Sequence, residues 1–349
     1  SIVSILIGIP GIIFAQDLLR LMGANADIIE NGYLYTSILL GSNCIIMLLF
    51  IINAVFRSAG DAAISMRVLL LANFANIILD PLLIFGYGPI PAMGIKGAAI
   101  ATSIGRGIAV LYQFYLLFSG KGRIRILKKA IKVNLRIMFH LFKISLGGIG
   151  QSIIATTSWI GMVRIIAMFG STALAGYTIA IRIIVFALLP SWGVSNAAAT
   201  LVGQNLGAKK PHRAEKAVWA TGYVNMVILG IVSVLFISIP EAFVRLFIGH
   251  PDVIATGAKG LRIISMGYIF YAMGMVMVQA FNGAGDTRTP TQINLICFWL
   301  IEIPLAYFLA NIYGMHENGV YTAIIIAEST MTIIAMWLFK KGRWKTEKV

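Results

Sequence analysis

The chain has 349 residues, of which 59% are hydrophobic and only 12% charged, with a mean hydropathy of +0.88; a soluble domain carries about 25% charged residues. That composition excludes an ordinary soluble globule and describes a polytopic, all-α membrane protein. The net charge of +15 would suit nucleic acid, but the basic residues are dispersed over short connectors between apolar runs, so no nucleic-acid partner is expected.

A bilayer core about 30 Å thick needs roughly 20 helical residues. Charge-poor runs near that length occupy residues 1–16, 33–56, 68–85, 97–118, 144–169, 173–201, 218–239, 263–280, 293–312 and 320–339, predicting about ten transmembrane helices. The first, SIVSILIGIPGIIF, resembles the apolar stretch of a signal peptide but lacks its basic flank and cleavage site, so it reads as a helix cut in the middle. Alternate connectors are basic: Arg57 and Arg67; then Lys121 to Arg136; then Lys209, Lys210, Arg213 and Lys216; then Arg288; then the tail from Lys340 to Lys348. The positive-inside rule puts these, and the C-terminus, in the cytoplasm. Cys44 and Cys297 both lie in apolar stretches with no ligand spacing around them, so neither a disulfide nor a metal cluster is expected.

Residues 19–61 match residues 244–286 at a constant offset of 225: Arg20 with Arg245, Asp27 with Asp252, Phe56 with Phe281, and Ala59-Gly60-Asp61 with Ala284-Gly285-Asp286. After small gaps Pro81 resembles Pro304, Gly97 resembles Gly319, and Lys121-Gly122-Arg123 echoes Lys341-Gly342-Arg343. Both Gly-Asp turns fall on the cytoplasmic side, so the repeats are parallel. The division this predicts is an N-terminal lobe over 1–120 holding the last four of six helices, a basic cytoplasmic linker over 121–136, and a six-helix C-terminal lobe over 137–349. About ninety residues of the first repeat are expected to precede Ser1, since the offset places the counterpart of Asn134 that far upstream.

Ionisable residues within apolar runs are costly and are functional candidates by default. Asn76 and Asp80, in Asn76-Ile-Ile-Leu-Asp80-Pro81, are four apart and share a helix face. Counting 1.5 Å per residue, Asp80 lies on the order of 8 Å inside its outer end, and Thr102 reaches a similar depth on the next run. Removing a carboxylate from water is expensive, so such a group can couple cation movement to a change of shape. The competing reading pairs Asp80 with an amide or with Arg106 and leaves it a packing role. In the second lobe Glu302 occupies roughly the place of Asp80, one residue out of register; it, Glu328 and Arg182 read equally well as a transport site or as an internal ion pair. The Gly-Asp turns read as helix-to-helix turns capped by the aspartate. Residues 202–215 lack the GK[ST] of a phosphate loop and read as an interfacial turn. His140, His212, His250 and His316 are scattered, and without a catalytic constellation no enzyme is expected.

Asn53-Ala-Val-Phe-Arg-Ser-Ala-Gly-Asp61, Asn76-Ile-Ile-Leu-Asp80-Pro81, Gly97-Ala-Ala-Ile-Ala-Thr102 and Leu201-Val-Gly-Gln-Asn-Leu-Gly207 together resemble the multidrug and toxic compound extrusion (MATE) family, in particular its prokaryotic DinF-like branch, over essentially the whole chain. The resemblance implies twelve helices in two six-helix lobes forming a V, set in the bacterial inner membrane and acting as a monomer. It also implies export of organic cations, drugs or other amphipathic compounds against entry of protons or sodium, with no other cofactor. By position, Asn76, Asp80 and Thr102 match the family's cation-coupling network, and Tyr35 and Asn53 match positions that can contact substrate. Gln151 and Tyr271 stand where some relatives bind sodium in the C-terminal lobe through two acids, a departure that favours coupling in the first lobe. A lipid-linked oligosaccharide or peptidoglycan-precursor flippase shares the architecture and is the first alternative; a channel or a non-transporting scaffold is the second.

Overall fold

The computed structural model describes residues 1–127 and 134–346; the linker lysines 128, 129 and 132 and the tail Lys348 lie outside them. The chain divides into two compact units, Ser1–Val133 and Asn134–Val349. The first contains α1 (Ile2–Ile13), α2 (Ala15–Leu21), α3 (Ala26–Gly41), α4 (Asn43–Ser58), α5 (Ala62–Phe85) and α6 (Gly94–Ser119). The second contains α7 (Leu135–Ala167), α8 (Ser171–Gly207), α9 (Pro211–Ser238), α10 (Pro240–Arg245), α11 (Pro251–Ser265), α12 (Tyr268–Gly283), α13 (Arg288–Asn294), α14 (Ile303–Tyr307) and α15 (Glu317–Lys340). A π-helical stretch over Leu295–Glu302 joins α13 to α14 and a second, Phe308–Ile312, extends α14, so that residues 288–312 form one continuous rod.

Seven helices among the described residues are long and apolar enough to cross a membrane, and ten spans result if each sharply bent pair counts as one. Three of these ten spans are bent. α1 and α2 meet at 79°, α3 and α4 at 44°, and α11 and α12 at 59°. A break frees carbonyls that a lipid-filled core cannot satisfy. At the α11/α12 break the Ser233 hydroxyl donates to the carbonyl of Ser265 at 2.6 Å, and at the α3/α4 break the hydroxyls of Ser42 and Ser103 lie 2.9 Å apart. The segment expected to be a turn over 202–215 is mostly helix: α8 runs to Gly207 and α9 starts at Pro211, leaving only a short connection in which Lys209 has φ 57°.

Helix boundaries repeat with the sequence offset. α3 and α4 begin at 26 and 43, α11 and α12 at 251 and 268. The Gly-Asp turns also superpose in detail, with Gly60 at φ 85° and Gly285 at φ 82°, and with the Asp61 and Asp286 amides donating to the Phe56 and Phe281 carbonyls. Only one aspartate caps as expected. Asp286 accepts from the amide of Thr289 at 3.0 Å, whereas the Asp61 carboxylate turns to the start of the linker, taking the Arg123 amide at 2.6 Å and its guanidinium at 3.4 Å.

Further along, the repeat register differs from the sequence reading. Gly94, the first residue of α6, and His316, just before α15, have φ 54° and 50°, and Gly120 and Gly342, beyond the ends of the same helices, have φ 72° and 73°. Gly120, not Gly122, is therefore the counterpart of Gly342, at an offset of 222.

In the first unit α6 lies against α5 along Gly97, Ala101, Gly105 and Ala109, all buried and four residues apart, the small-residue stripe by which membrane helices approach closely. A side chain at Gly97 would run into the backbone of Leu83, and one at Gly105 would come 3.0 Å from the Ala72 carbonyl. In the second unit a side chain on Gly319 would meet the backbone of Leu309 and Ala310.

The basic tail folds back at Gly342. Trp344 is fully buried, stacks on Phe339 at 4.5 Å and donates its indole N–H to the Phe339 carbonyl, while Lys345 pairs with Glu215 at 2.6 Å. Trp344→Ala should cost about 3–5 kcal/mol, as large aromatic deletions in packed interiors do, and would be read as a lowered unfolding midpoint in detergent; an unchanged midpoint would mean that the tail is not seated.

Candidate functional site

The α5/α6 seam positions the first group of polar residues. Because glycine and alanine let the two backbones approach, the Asn76 amide reaches Thr102 across the seam and donates to its hydroxyl at 3.4 Å. Asp80 follows one turn later on the same face, half-buried, and its Oδ1 is sealed from solvent without a hydrogen-bond partner. Among the described residues no ion pair joins Asp80 to Arg106. An unpartnered carboxylate oxygen inside a helical bundle is costly, and a proton or a small cation would relieve it.

Tyr35 is 37% exposed on α3. Asn53 is 1% exposed; its carbonyl accepts from Ser65 on α5, and its Oδ1 is unpartnered. Contact between Asn53 and a cargo would require α4 and α5 to part.

The second unit holds a cavity of about 270 Å³ that brings Glu302, Glu328 and Tyr271 together. Ser158 and Trp159 on α7, Tyr177 on α8, Tyr268 on α12 and Phe298 on the π stretch complete its polar and aromatic lining. Sequence reasoning missed these five, since each is an unremarkable residue of an apolar run until tertiary contacts gather them. Glu302 is 8% exposed and accepts from the Ser158 hydroxyl at 2.8 Å; Glu328 keeps Oε2 sealed and unpartnered. Two of the predicted residues stand apart. Arg182 is exposed on α8 and forms no ion pair with either glutamate among the described residues, so the internal-pair reading is not what the structure shows. Gln151 donates to Asn282 at 3.1 Å and to the Thr287 carbonyl at 3.3 Å, beside the Gly-Asp turn.

Glu302 does not stand in the place of Asp80. Buried positions along its rod run 290, 293, 294 and 297 and then 302, 306 and 310; the step of five from 297 to 302 at the π stretch is one residue longer than an α-helical turn allows. With the Leu83 backbone against Gly97 and the Leu309 backbone against Gly319, Glu302 is the counterpart of Asn76 and Ala306 that of Asp80. The second unit thus carries its acid one turn deeper, by about 6 Å. The 222 offset of the last helix sets Glu328 at the place of Arg106.

What these features define is a multi-pass helical membrane protein with an acidic group enclosed in each of two related units. The MatE family pattern matches residues 1–82 and 149–308, and the chain belongs to that family, whose members are transporters rather than enzymes. The probable multidrug resistance protein NorM of Thermotoga maritima is 26% identical over 318 residues, covering 90% of this chain and 68% of that one. The multidrug export protein MepA of Staphylococcus aureus is 25% identical over 336 residues, covering 96% and 72%. Among solved structures, a MATE protein in its bent conformation has a TM-score of 0.89 at 21% identity, covering 98% of this chain and 75% of that one, and an outward-facing multidrug resistance MATE transporter has 0.88, covering 98% and 77%. These likenesses establish the fold.

Proposed function

We propose that the protein exports amphipathic or cationic small molecules across a bacterial plasma membrane in exchange for a proton or a sodium ion, with Asp80, Asn76 and Thr102 as the coupling site. The observation that carries this is the half-buried Asp80, one turn from the Asn76–Thr102 contact, with a carboxylate oxygen that no described residue satisfies. Cation binding there neutralises a charge against the α5/α6 seam, and the release of that cation resets it. The drug-like cargo rests on the names of the relatives; the cytoplasmic side rests on the basic connectors. Tyr35 is the open position for a cargo contact in this unit.

The test is efflux from everted vesicles of a fluorescent cationic dye, with a proton gradient or a sodium gradient imposed separately. Acceleration by one of the two and its collapse with the matching ionophore is the expected result; dye movement indifferent to both gradients overturns the coupling. A pyrophosphate-linked cargo, as in the flippase alternative, would call for basic residues in the binding cavity, whereas the second unit's cavity is lined by two glutamates and, among the described residues, by no Lys or Arg.

A further inference from the structure

The 270 Å³ cavity of the second unit holds two carboxyl groups from different helices, Glu302 from the π stretch and Glu328 from α15. Counted from the Ile312 end of its rod and from the start of α15 respectively, both lie roughly 15 Å deep, at matching levels near the middle of their spans. The groups that line the cavity around them are Tyr177 on α8 and Tyr268 and Tyr271 on α12, with Cys297 on the π stretch within electrostatic reach of both; α7 contributes Ser158 and the indole of Trp159, and α11 Ile264. Among the described residues no Lys, Arg or His lines the cavity, so two ionised glutamates would leave two negative charges uncompensated in apolar surroundings.

The hydrogen bonds are unequal. Glu302 receives the Ser158 hydroxyl, which suits a carboxylate. Glu328 Oε2 receives nothing, and the Tyr268 hydroxyl, on a side chain only 2% exposed that lines the same cavity, is likewise unpartnered. Both unpartnered atoms belong to a chamber large enough for several waters at about 30 Å³ each.

We propose that Glu302 and Glu328 form a second proton-exchange site, holding one proton between them, separate from Asp80 and in the other unit. In the resting form Glu302 is the carboxylate and Glu328 the acid. A proton taken from water neutralises Glu302, and its loss to water restores the single negative charge, so each turn moves one proton and no other atom. The proposal does not depend on Asp80, and it adds one proton per transport cycle to whatever cation Asp80 carries.

The experiment is infrared difference spectroscopy of the purified protein across a pH titration, following the C=O stretch of protonated carboxyls in the unsubstituted protein, E302Q, E328Q, the double variant and D80N. The pair's band should vanish in the double variant and persist in D80N. In each single variant the remaining acid should titrate at a midpoint displaced by at least about one pH unit, because interacting sites titrate as a unit. S158A, which leaves both acids in place and removes the donor to Glu302, should move the midpoint as well, and it keeps the test decisive if the double variant fails to fold. An unmoved midpoint in the single variants and in S158A, or a pair band surviving in the double variant, overturns the proposal. Loss of the band on adding sodium at constant pH also overturns it, since the site would then take a metal ion.

Discussion

Asp80→Asn is expected to abolish gradient-driven efflux while leaving the protein inserted and folded. Asparagine keeps the size and one carbonyl oxygen but neither ionises nor releases a proton, so the group at the seam no longer distinguishes an occupied from an empty state. Moving one elementary charge through 100 mV is worth about 2.3 kcal/mol, which at about 1.4 kcal/mol per decade corresponds to a loss of roughly 50-fold in the concentration ratio that can be sustained. The measurement is steady-state dye accumulation in proteoliposomes under an imposed gradient, together with downhill dye exchange in its absence. Retained exchange with lost accumulation identifies a coupling defect; accumulation unchanged from the parent protein would remove Asp80 from the mechanism.

Gly97→Val is expected to destabilise the first unit at the seam that carries its polar site. The new side chain would be built into the Leu83 carbonyl and the Ile84 amide, backbone atoms that cannot rotate away, so α5 must shift relative to α6. Overpacking of this kind costs about 1–3 kcal/mol or more. The same shift would stretch the Asn76–Thr102 contact, already 3.4 Å long, and so degrade coupling before unfolding. A lowered unfolding midpoint together with reduced gradient-driven efflux is the expected pair of results; a stable, fully active variant would show that the seam is looser than described. Gly319→Val should act in the same way on the second unit, against Leu309 and Ala310.

The spans and the repeat were legible in the sequence because both are patterns of residue type along the chain: long charge-poor runs, and a Gly-Asp turn recurring at a constant offset. The meeting of Asn76 with Thr102 was legible too, since depth counting from helix ends needs only the rise per residue. The bends at Ser42 and Met266 were not, because Ser and Met there are as compatible with a straight helix as with a broken one. The place of Glu302 was misjudged for a related reason. An extra residue in the π stretch is offset by a shorter connection before α15, so Glu302 and its Pro304 line up in letters with Asp80-Pro81 while sitting a turn apart in space. The second unit's cavity was the least accessible of all. Its lining is drawn from α7, α8, α11, α12, the π stretch and α15, and Ser158 and Glu302 are 144 positions apart.

The π stretch also bears on how two halves of one ancestry come to differ. In an unbroken α-helix an added residue would turn everything beyond it by about 100° about the axis; the π stretch takes it up as a single step of five, so the row of Glu302, Ala306 and Ala310 goes on facing the interior and Gly319 keeps its seat against the rod. An added codon is thus absorbed within one or two turns, and the two halves drift out of step in their letters while the face each helix turns inward is kept.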